Sequence, residues 1–447
     1  MSTTTANTSL ANTSRASRFS VPFFSVPTLI AAVAGSACAG VVVDIPPGSL
    51  PLQPFFAANP GATVNVHDGG VIIPDAGEDD AFDFNGATVN FEDGGGAGFF
   101  TFDIFMENAT FNLKPGAEIV RAVFVGGSGS TDLVMTGGQA NRGLKLRGNT
   151  SAVISGGEIG PTGTGAPSFH LEDTATVSMS GGESDNDAII EDSSVFTQSG
   201  GTQGDLVGVK DSAVLNLTSG RIGRLASLTS SDAVFNVAGG TTGWEFMASS
   251  GTVNITAGGL GFNSALVNSG GDDPVLNMSG GAIDSNFRAY DGVMNVRGGA
   301  IGDRFRVGRP TGDGSGVTVN LYVKSATLDT VDLPLTPNTP VEITVRGGEF
   351  LSVVLAEDDA TLGITMNQIS GTEDYVRAGA DLFLIWEVDC DADLVAPFGV
   401  LDLADISAFI AGFTSGDPIA DLAEPMGVFD LADISAFIES FTDGCGF

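Results

Sequence analysis

One short phrase recurs along the central part of the chain, and it restricts the fold more than any other feature. From about residue 55 to residue 350 the phrase is an apolar residue, often Asn, another apolar residue, two or three further residues, and Gly-Gly. Examples are TVNVHDGG, TVSMSGG, VFNVAGG, TVNITAGG, VLNMSGG and VMNVRGG. The copies are usually 18 to 25 residues apart. A period near 20 with one short strand per unit is typical of a β-solenoid.

The phrase itself indicates how the turns of the solenoid pack. In TVNVHDGG the alternation of a strand puts Val64 and Val66 on one side and Asn65 on the other. Stacked copies bury the valines in one continuous core, while Gly-Gly supplies the positive φ angles of a corner. An apolar residue often follows the corner, which predicts a second short strand on the next face.

The Asn of the phrase recurs along the whole repeat. We predict that these side chains form a stacked amide ladder on the outer surface, because a binding site is usually local. A ligand-binding strip is the alternative. The recurring residues are Asn65, Asn90, Asn112, Asn216, Asn236, Asn254, Asn277, Asn295 and Asn320.

This stretch resembles right-handed parallel β-helix proteins of the pectin-lyase-like and autotransporter-like group. The resemblance covers about two thirds of the chain and lies in the period and the pattern. It implies a mostly β chain, with a right-handed parallel β-helix over residues 40–350 and a C-terminal cap or linker over residues 351–388. A β-sandwich array is the alternative, but the spacing and the scarcity of helix signals favour the solenoid.

The N-terminal segment is typical of an export signal. Arg15 and Arg18 precede the apolar stretch VPFFSVPTLIAAVAG, and Ala37 and Ala39 form an A-x-A cleavage site. We therefore predict a signal peptide over residues 1–39 and a secreted or cell-surface location. A lipoprotein cysteine at Cys38 is the alternative. No later segment has 18 consecutive apolar residues, so no membrane span is expected in the mature chain.

Charge and cysteine content restrict the partners and the redox state. Lys and Arg number 18 and Asp and Glu number 54, which gives a formal net charge of −36. This charge disfavours nucleic acid and anionic membrane surfaces as partners, because both are polyanions. Cleavage after Ala39 leaves Cys390 and Cys445, and an even number of cysteines in an exported chain predicts a disulfide.

The repeat contains one group of basic residues, and we interpret it as a candidate polyanion-binding site. Arg matches carboxylate geometry in a bidentate way, so the group suits a uronate or a sulfate. Charge balance within an acidic protein is the alternative. Trp244 and Phe246 have two interpretations, sugar stacking or core packing. His67 and His170 are too far apart in sequence to predict a His-based metal site. The basic residues are Arg288, Arg297, Arg304, Arg306 and Arg309.

The C-terminus contains the same helix twice. VLDLADISAFIAGF, residues 400–413, returns as VFDLADISAFIESF, residues 428–441, and 11 of the 14 positions match at an offset of 28. Ile406, Phe409, Ile410 and Phe413 follow the i, i+3, i+4, i+7 spacing of one helix face. Acidic residues in the first turn suit the helix dipole, and they also suit the end of a calcium loop.

This pair, within residues 389–447, resembles the dockerin module, two tandem calcium-loop-and-helix units, and in particular the variant dockerins that end in Gly-Cys. The resemblance implies calcium as a cofactor and a cohesin-like scaffold or cell-surface protein as the partner. Both loops lack early oxygen ligands, so they depart from the usual pattern, and a metal-free helix pair is the alternative. The candidate ligands are Asp393, Val400, Asp402 and Asp405 in the first loop and Asp421, Glu424, Val428, Asp430 and Asp433 in the second.

We therefore predict an exported structural or interaction protein, a β-helix rod anchored through a dockerin-like module. Polysaccharide is a further candidate partner of the rod. The alternative function is a polysaccharide lyase, a glycoside hydrolase or an accessory carbohydrate-binding protein. The sequence specifies no catalytic residue. Three or more carboxylates around Arg288–Arg309 would favour the enzyme.

Overall fold

The structure is a computed structural model in which 50% of the chain is strand and 10% is helix. All the residues it describes belong to one compact unit, Cys38–Phe447. The predicted signal peptide, Val400, Glu424, Cys390 and Cys445 lie outside the described residues. The described ranges are 42–45, 48–50, 53–67, 70–72, 82–97, 104–119, 122–125, 130–160, 167–185, 187–224, 226–268, 271–311, 315–336, 339–367, 373–386, 391–395, 401–423 and 425–443.

The repeat folds as a parallel β-solenoid, as its period predicts. Its longest ladder, here the first ladder, pairs the strand of each repeat in parallel with the strand of the next. Its strands are Val42–Ile45, Thr63–Val66, Phe82–Phe91, Ile104–Leu113, Asp132–Met135, Ser151–Ile154, Thr176–Met179, Val195–Gln203, Val214–Ile222, Val234–Thr242, Thr252–Leu260, Val275–Ile283, Gly292–Ile301, Val317–Leu328 and Asp381–Ile385.

The second ladder is the face that follows the Gly-Gly corner, where the sequence predicts another strand. In the first-ladder strands from Val195–Gln203 to Gly292–Ile301, the second half of each strand forms this face. The earlier separate strands are Gly48–Leu50, Gly70–Ile72, Gly96–Ala97, Glu118–Ile119, Gln139–Ala140, Glu158–Ile159 and Glu183–Ser184.

The solenoid has about 10 turns, and the third ladder completes each turn. It too is parallel throughout. Its separate strands are Ala122–Val125, Leu144–Arg147, Phe169–Leu171, Ala188–Ile190, Val207–Val209, Ser227–Leu228, Met247–Ala248, Ala265–Leu266, Arg288–Ala289, Arg306–Val307 and Tyr375–Val376.

The interior of the solenoid follows the alternation in the sequence. In the strand Thr252–Leu260, Val253 and Ile255 are buried while Asn254 faces outward. The corner after this face depends on glycine. Gly157 has φ 97°, and a Cβ there would lie 2.7 Å from the carbonyl oxygen of Gly138 in the preceding turn. Any side chain at such a corner is therefore excluded by both backbone conformation and space.

The predicted amide ladder is present, in two runs. Asn90 donates to Asn65 at 2.7 Å and Asn112 donates to Asn90 at 2.8 Å. A second, longer run joins the Nδ2 of each Asn to the Oδ1 of the one before it, at 2.8 to 2.9 Å, from Asn216 to Asn320. Between the runs, this register position is occupied by Val134, Val153, Ser178 and Thr197. The ladder therefore fixes the register between neighbouring turns, because a slip by a single residue would break its hydrogen bonds.

Antiparallel strands lie beside the last turns. Gly347–Leu355 pairs antiparallel with Val317–Leu328 and with Thr361–Asn367. Two further short strands, Val331–Asp332 and Val341–Glu342, also pair antiparallel.

Four helical segments complete the described elements. They are α1 (Gln53–Ala58), α2 (Leu403–Ser415), the 3₁₀ turn Pro418–Ala420 and α3 (Leu431–Asp443). In the part of the chain that the structure describes, none of the helices has the length and apolar character needed to cross a membrane.

Candidate functional sites

Helices α2 and α3 share a small aromatic core of their own. Phe409 and Phe437 stack with ring centroids 4.1 Å apart and planes 12° apart. Phe413 packs edge-on against Phe429 at 6.1 Å. Among the described residues, four side chains of this cluster are buried, and none of the four belongs to the core of the solenoid. The helix pair therefore buries little apolar surface, and its loops need other interactions to hold their shape.

Two buried aspartates hold the loops that precede the helices. Asp405 Oδ1 accepts the backbone N–H groups of Leu394 at 2.8 Å and Val395 at 3.0 Å, and its Oδ2 accepts the N–H of Asp402 at 3.0 Å. Asp405 is also the partner of Asp402 in a capping box at the start of α2. Each loop N–H bonded in this way is one that burial would otherwise leave unsatisfied.

The second copy repeats this arrangement. Asp433 Oδ1 accepts the N–H groups of Leu422 at 2.8 Å and Ala423 at 2.9 Å, and its Oδ2 accepts the N–H of Asp430 at 2.8 Å. The hydrogen bond from Asp430, followed by those from Ala423 and Leu422, holds the pKa of Asp433 below its usual value although burial opposes this. The carboxylate is therefore charged at neutral pH and stabilises the loop by charge-assisted hydrogen bonds.

In the described part of the two loops, the remaining candidate calcium ligands are not gathered into one cluster. Asp402 and Asp430 are exposed, and each caps a helix by accepting an N–H group, from Ala404 and Ala432 respectively. Asp393 is half-buried and Val428 is exposed. Among the described residues, neither loop brings three acidic ligands within 4.8 Å of one another.

In the second loop, the two carboxylate oxygens of Asp421 have different surroundings. Asp421 Oδ2 accepts the N–H of Gly427 at 2.5 Å, while its Oδ1 is buried without a hydrogen-bond partner. A buried carboxylate oxygen without a donor is costly unless a proton, a water molecule or a cation compensates it. Asp421 Oδ1 is therefore a candidate contact for a cation.

Two isoleucines that the sequence predicts to lie on the packed faces of α2 and α3 are instead exposed. Ile410 and Ile438, which the spacing groups with the packed phenylalanines, are 56% and 54% exposed. The reason is geometric, since the contact is a narrow seam along Phe409 and Phe413, and a residue next to Phe409 points about 100° away from it. Leu403 and Leu431 are each 74% exposed.

These residues form two matching stripes, each with a spacing of i, i+4, i+7, i+11. The α2 stripe is Leu403, Ser407, Ile410 and Thr414, and the α3 stripe is Leu431, Ser435, Ile438 and Thr442. The Ser and Thr hydroxyls donate to carbonyl groups four residues earlier in their own helix, at 2.7 to 2.8 Å in both copies. Because these donors are already bonded, a partner that covers a stripe removes few unsatisfied polar groups from water.

The five arginines of the candidate polyanion site separate into two kinds. Arg309 forms a two-point ion pair with Asp291, with Nη2–Oδ2 2.6 Å and Nε–Oδ1 3.2 Å. Arg297 lies 3.6 Å from the ring centroid of Tyr322. Arg304 occupies an exposed corner with φ 65°. Arg288 and Arg306 differ from these three, because they pair in register on adjacent strands of the third ladder. The structure therefore brings together only two of the five as neighbours on one face.

A charged network on the third ladder has no counterpart in the sequence predictions. Glu172 accepts hydrogen bonds from Lys145 and from Arg147, and His170 Nε2 lies 2.7 Å from Glu191 Oε1 and 3.2 Å from Glu172 Oε1. Burial opposes ionisation of Glu172, but the hydrogen bonds from Lys145 and Arg147 outweigh it and lower its pKa. The sequence conceals this network, because its members come from three different turns.

His170, Glu172 and Glu191 are close enough to share one metal ion, and they are the only such group of three among the described residues. Lys145 and Arg147 already neutralise Glu172, however, and Lys210 Nζ lies 3.6 Å from Glu191 Oε2. A cation would have to compete with these positive charges. The network therefore serves best to hold neighbouring turns together. Among the described residues around Arg288–Arg309, no three acids offer ligand atoms within 4.8 Å of one another.

By its fold, this chain is a parallel β-solenoid protein in which two copies of one helix, α2 and α3, follow the solenoid. Comparison with protein-family models gives no match, and comparisons with curated proteins and with solved structures give none either.

Proposed function

We propose that this chain is an exported structural or interaction protein, and that the helix pair α2–α3 attaches its solenoid to an extracellular or cell-surface assembly. Export is supported by the signal-like sequence of residues 1–39. Attachment is supported above all by the two matching stripes. The partner is a scaffold or cell-surface protein of the cohesin type, by the resemblance of the helix pair to dockerins.

The stripes support docking because packing does not account for them. Phe409 and Phe437 are identical in the two copies since each fills the shared core. Leu403 and Leu431 are equally identical, yet both are 74% exposed. An exposed leucine contributes little to folding, and it adds apolar contact when a partner covers it. Two equal stripes offer a partner two equivalent surfaces on one module.

Calcium is part of this proposal for the second loop. Asp421 would hold the ion with its buried Oδ1, and Asp430, Glu424 and the carbonyl of Val428 are the further candidate donors. Bound calcium would neutralise charge in a chain of net charge −36 and would stiffen the loop before α3.

Titration of calcium into the full chain tests this part. We expect calcium to raise the unfolding temperature of the helix pair, and Asp421→Asn to abolish that rise. Glu439→Gln removes one exposed acid from α3 and serves as the matched control, which should leave the rise unchanged. No rise in the unmodified chain would contradict the calcium proposal and leave the docking proposal intact.

Capture of a partner tests docking. The full chain is immobilised and exposed to surface extract from its own source, with calcium or with chelator. We expect one partner to be retained by the unmodified chain and lost from the double variant Leu403→Asp/Leu431→Asp. The matched control is Leu206→Asp, which adds a charge at an exposed leucine of the solenoid. Equal retention by the double variant and the control would contradict docking through the stripes.

A further inference from the structure

One strip of the solenoid surface carries no charge. It lies on the first ladder, where the seven consecutive strands from Ser151–Ile154 to Val275–Ile283 stack in parallel. Each turn contributes the three outward residues that precede its glycine corner, for example Val214, Asn216 and Thr218. Every one of these residues is Ser, Thr, Val, Asn or Ala, and each is exposed or half-buried. Together they form the surface called here the neutral strip.

Charge lies around the neutral strip and not on it. Asp132 faces outward in the turn before the strip, and Arg297 in the turn after it. Along one edge, exposed aspartates precede successive turns of the strip, and the N–H of Asp173 donates to Asp192 at 2.8 Å. These aspartates, here the acidic rim, are Asp173, Asp192, Asp211 and Asp232. A centre depleted of charge inside a polar rim is the usual anatomy of a protein–protein interface.

The polar groups of the neutral strip already have partners within the rod. Asn236 donates to Asn216 and Asn254 donates to Asn236, both at 2.9 Å. The Thr218 hydroxyl donates to the carbonyl of Gln198 in the preceding turn at 3.2 Å. The ladder uses one of the two N–H groups of each amide, so the other can donate across an interface. Covering this surface therefore leaves few polar groups without a hydrogen bond.

The neutral strip also offers apolar contact over a sufficient area. Val195, Val214 and Val234 are in register on three adjacent strands and are half-buried, and Val153 is 50% exposed. Seven strands about 4.8 Å apart and about five residues of strand make a strip of roughly 34 Å by 17 Å. Two copies that meet over it bury on the order of 1,200 Å² in total, the lower end of the range for stable interfaces.

We propose that the neutral strip binds the neutral strip of a second copy of this chain, so that two rods pair side by side. Each copy carries a net charge of −36, so two copies repel wherever their acids face each other, and the strip is the surface on which they can meet. Turns repeat at about the same 4.8 Å in both copies, so their columns of side chains match along the whole strip. The pairing is independent of what the helix pair α2–α3 binds.

Sedimentation velocity of the full chain, from about 1 μM to about 200 μM, tests this proposal. We expect a reversible equilibrium between monomer and dimer. Val214→Asp places a charge at the centre of the strip and should weaken dimerisation at least about tenfold. Thr256→Glu places one at an exposed position of the strip and should do the same. Ile189→Asp is the matched control, because Ile189 is a half-buried outward residue of the third ladder, and it should leave dimerisation unchanged.

Two further measurements make the outcome decisive. Thermal unfolding shows whether each variant is folded, and added salt should tighten the dimer, since it screens the repulsion between the two acidic chains. A monomer at every concentration would overturn the proposal. A dimer that persists in both Val214→Asp and Thr256→Glu would place the interface on another face. Equal weakening by Ile189→Asp, or a dimer that salt dissociates, would also contradict pairing through the neutral strip.

Discussion

The rings of Phe409 and Phe437 stack 4.1 Å apart although the residues are separated by 28 positions, because they hold the same place in the two copies of one helix. The two helices therefore share one core, in which each phenylalanine packs against its equivalent in the other helix. A single helix of 13 residues is marginal in water, so neither copy is stable alone. The duplication is a requirement of the fold of this module as well as a source of two equal surfaces.

Truncation of one ring should therefore unfold both helices. We expect Phe437→Ala to cost about 3–5 kcal/mol, the usual range for a buried phenylalanine. Hydrogen exchange should accelerate throughout α2 and α3, while the amide of Val253 in the solenoid keeps its protection. Ile438→Ala, at the next and exposed position, should change stability by less than about 0.5 kcal/mol. Fast exchange confined to α3 would contradict this coupling.

Acid should loosen the second loop through Asp433. Its pKa is lowered on folding, so its stabilising contribution is complete above the unfolded value of about 3.9 and is lost as the pH falls through the folded value. Protection of the Leu422 and Ala423 amides should therefore fall only below about pH 4. Asp433→Asn should remove most of that protection at neutral pH, whereas Glu439→Gln should not. Protection of Leu422 and Ala423 in Asp433→Asn equal to that in the unmodified chain would refute the role given to this carboxylate.

The amide ladder should contribute to stability wherever it is continuous. Asn254 donates to Asn236 and accepts from Asn277, both at 2.9 Å. Asn254→Ala removes two hydrogen bonds, at about 0.5–1.5 kcal/mol each, so we expect a loss of about 1–3 kcal/mol in denaturant unfolding. Val153→Ala changes the equivalent register position between the two runs of the ladder and should cost much less. Equal losses at both positions would mean that the amides add nothing beyond their size.

The network around Glu172 should give the solenoid a separate dependence on pH. Its pKa is lowered on folding despite burial, because Lys145 and Arg147 donate to it. Its contribution is present above the unfolded value of about 4.3 and is lost as the pH falls through the folded value. Glu172→Gln should destabilise the chain by about 2 kcal/mol at pH 7 and progressively less below about pH 4. A loss that does not change with pH would indicate packing in place of charge.

Much of the solenoid could be predicted from sequence because its signals are local. The period, the Val-Asn-Val alternation around Asn254 and the corner glycines such as Gly157 are each determined within a few residues. Local spacing was insufficient for the helices. It grouped Ile410 with Phe409, and the narrow seam between α2 and α3 leaves Ile410 exposed.

The sites were harder to predict, because each depends on the register between turns. His170, Glu172 and Glu191 meet only when turns of different length are stacked. The arginine group was visible as a concentration of charge, but the ion pair of Arg309 with Asp291 is not. Trp244 and Phe246 look equivalent in sequence, and only the position of the corner exposes the first and buries the second.

The relation between the two stripes is the central claim, and affinity for the captured partner tests it most directly. Dissociation constants are measured for the unmodified chain, for Leu403→Asp, for Leu431→Asp and for the double variant. Two equivalent surfaces predict that each single variant binds within about twofold of the unmodified chain, a statistical factor, and that the double variant loses binding by 100-fold or more. Loss of binding in one single variant alone would show that only that helix docks, and unchanged binding in the double variant would contradict docking through either stripe.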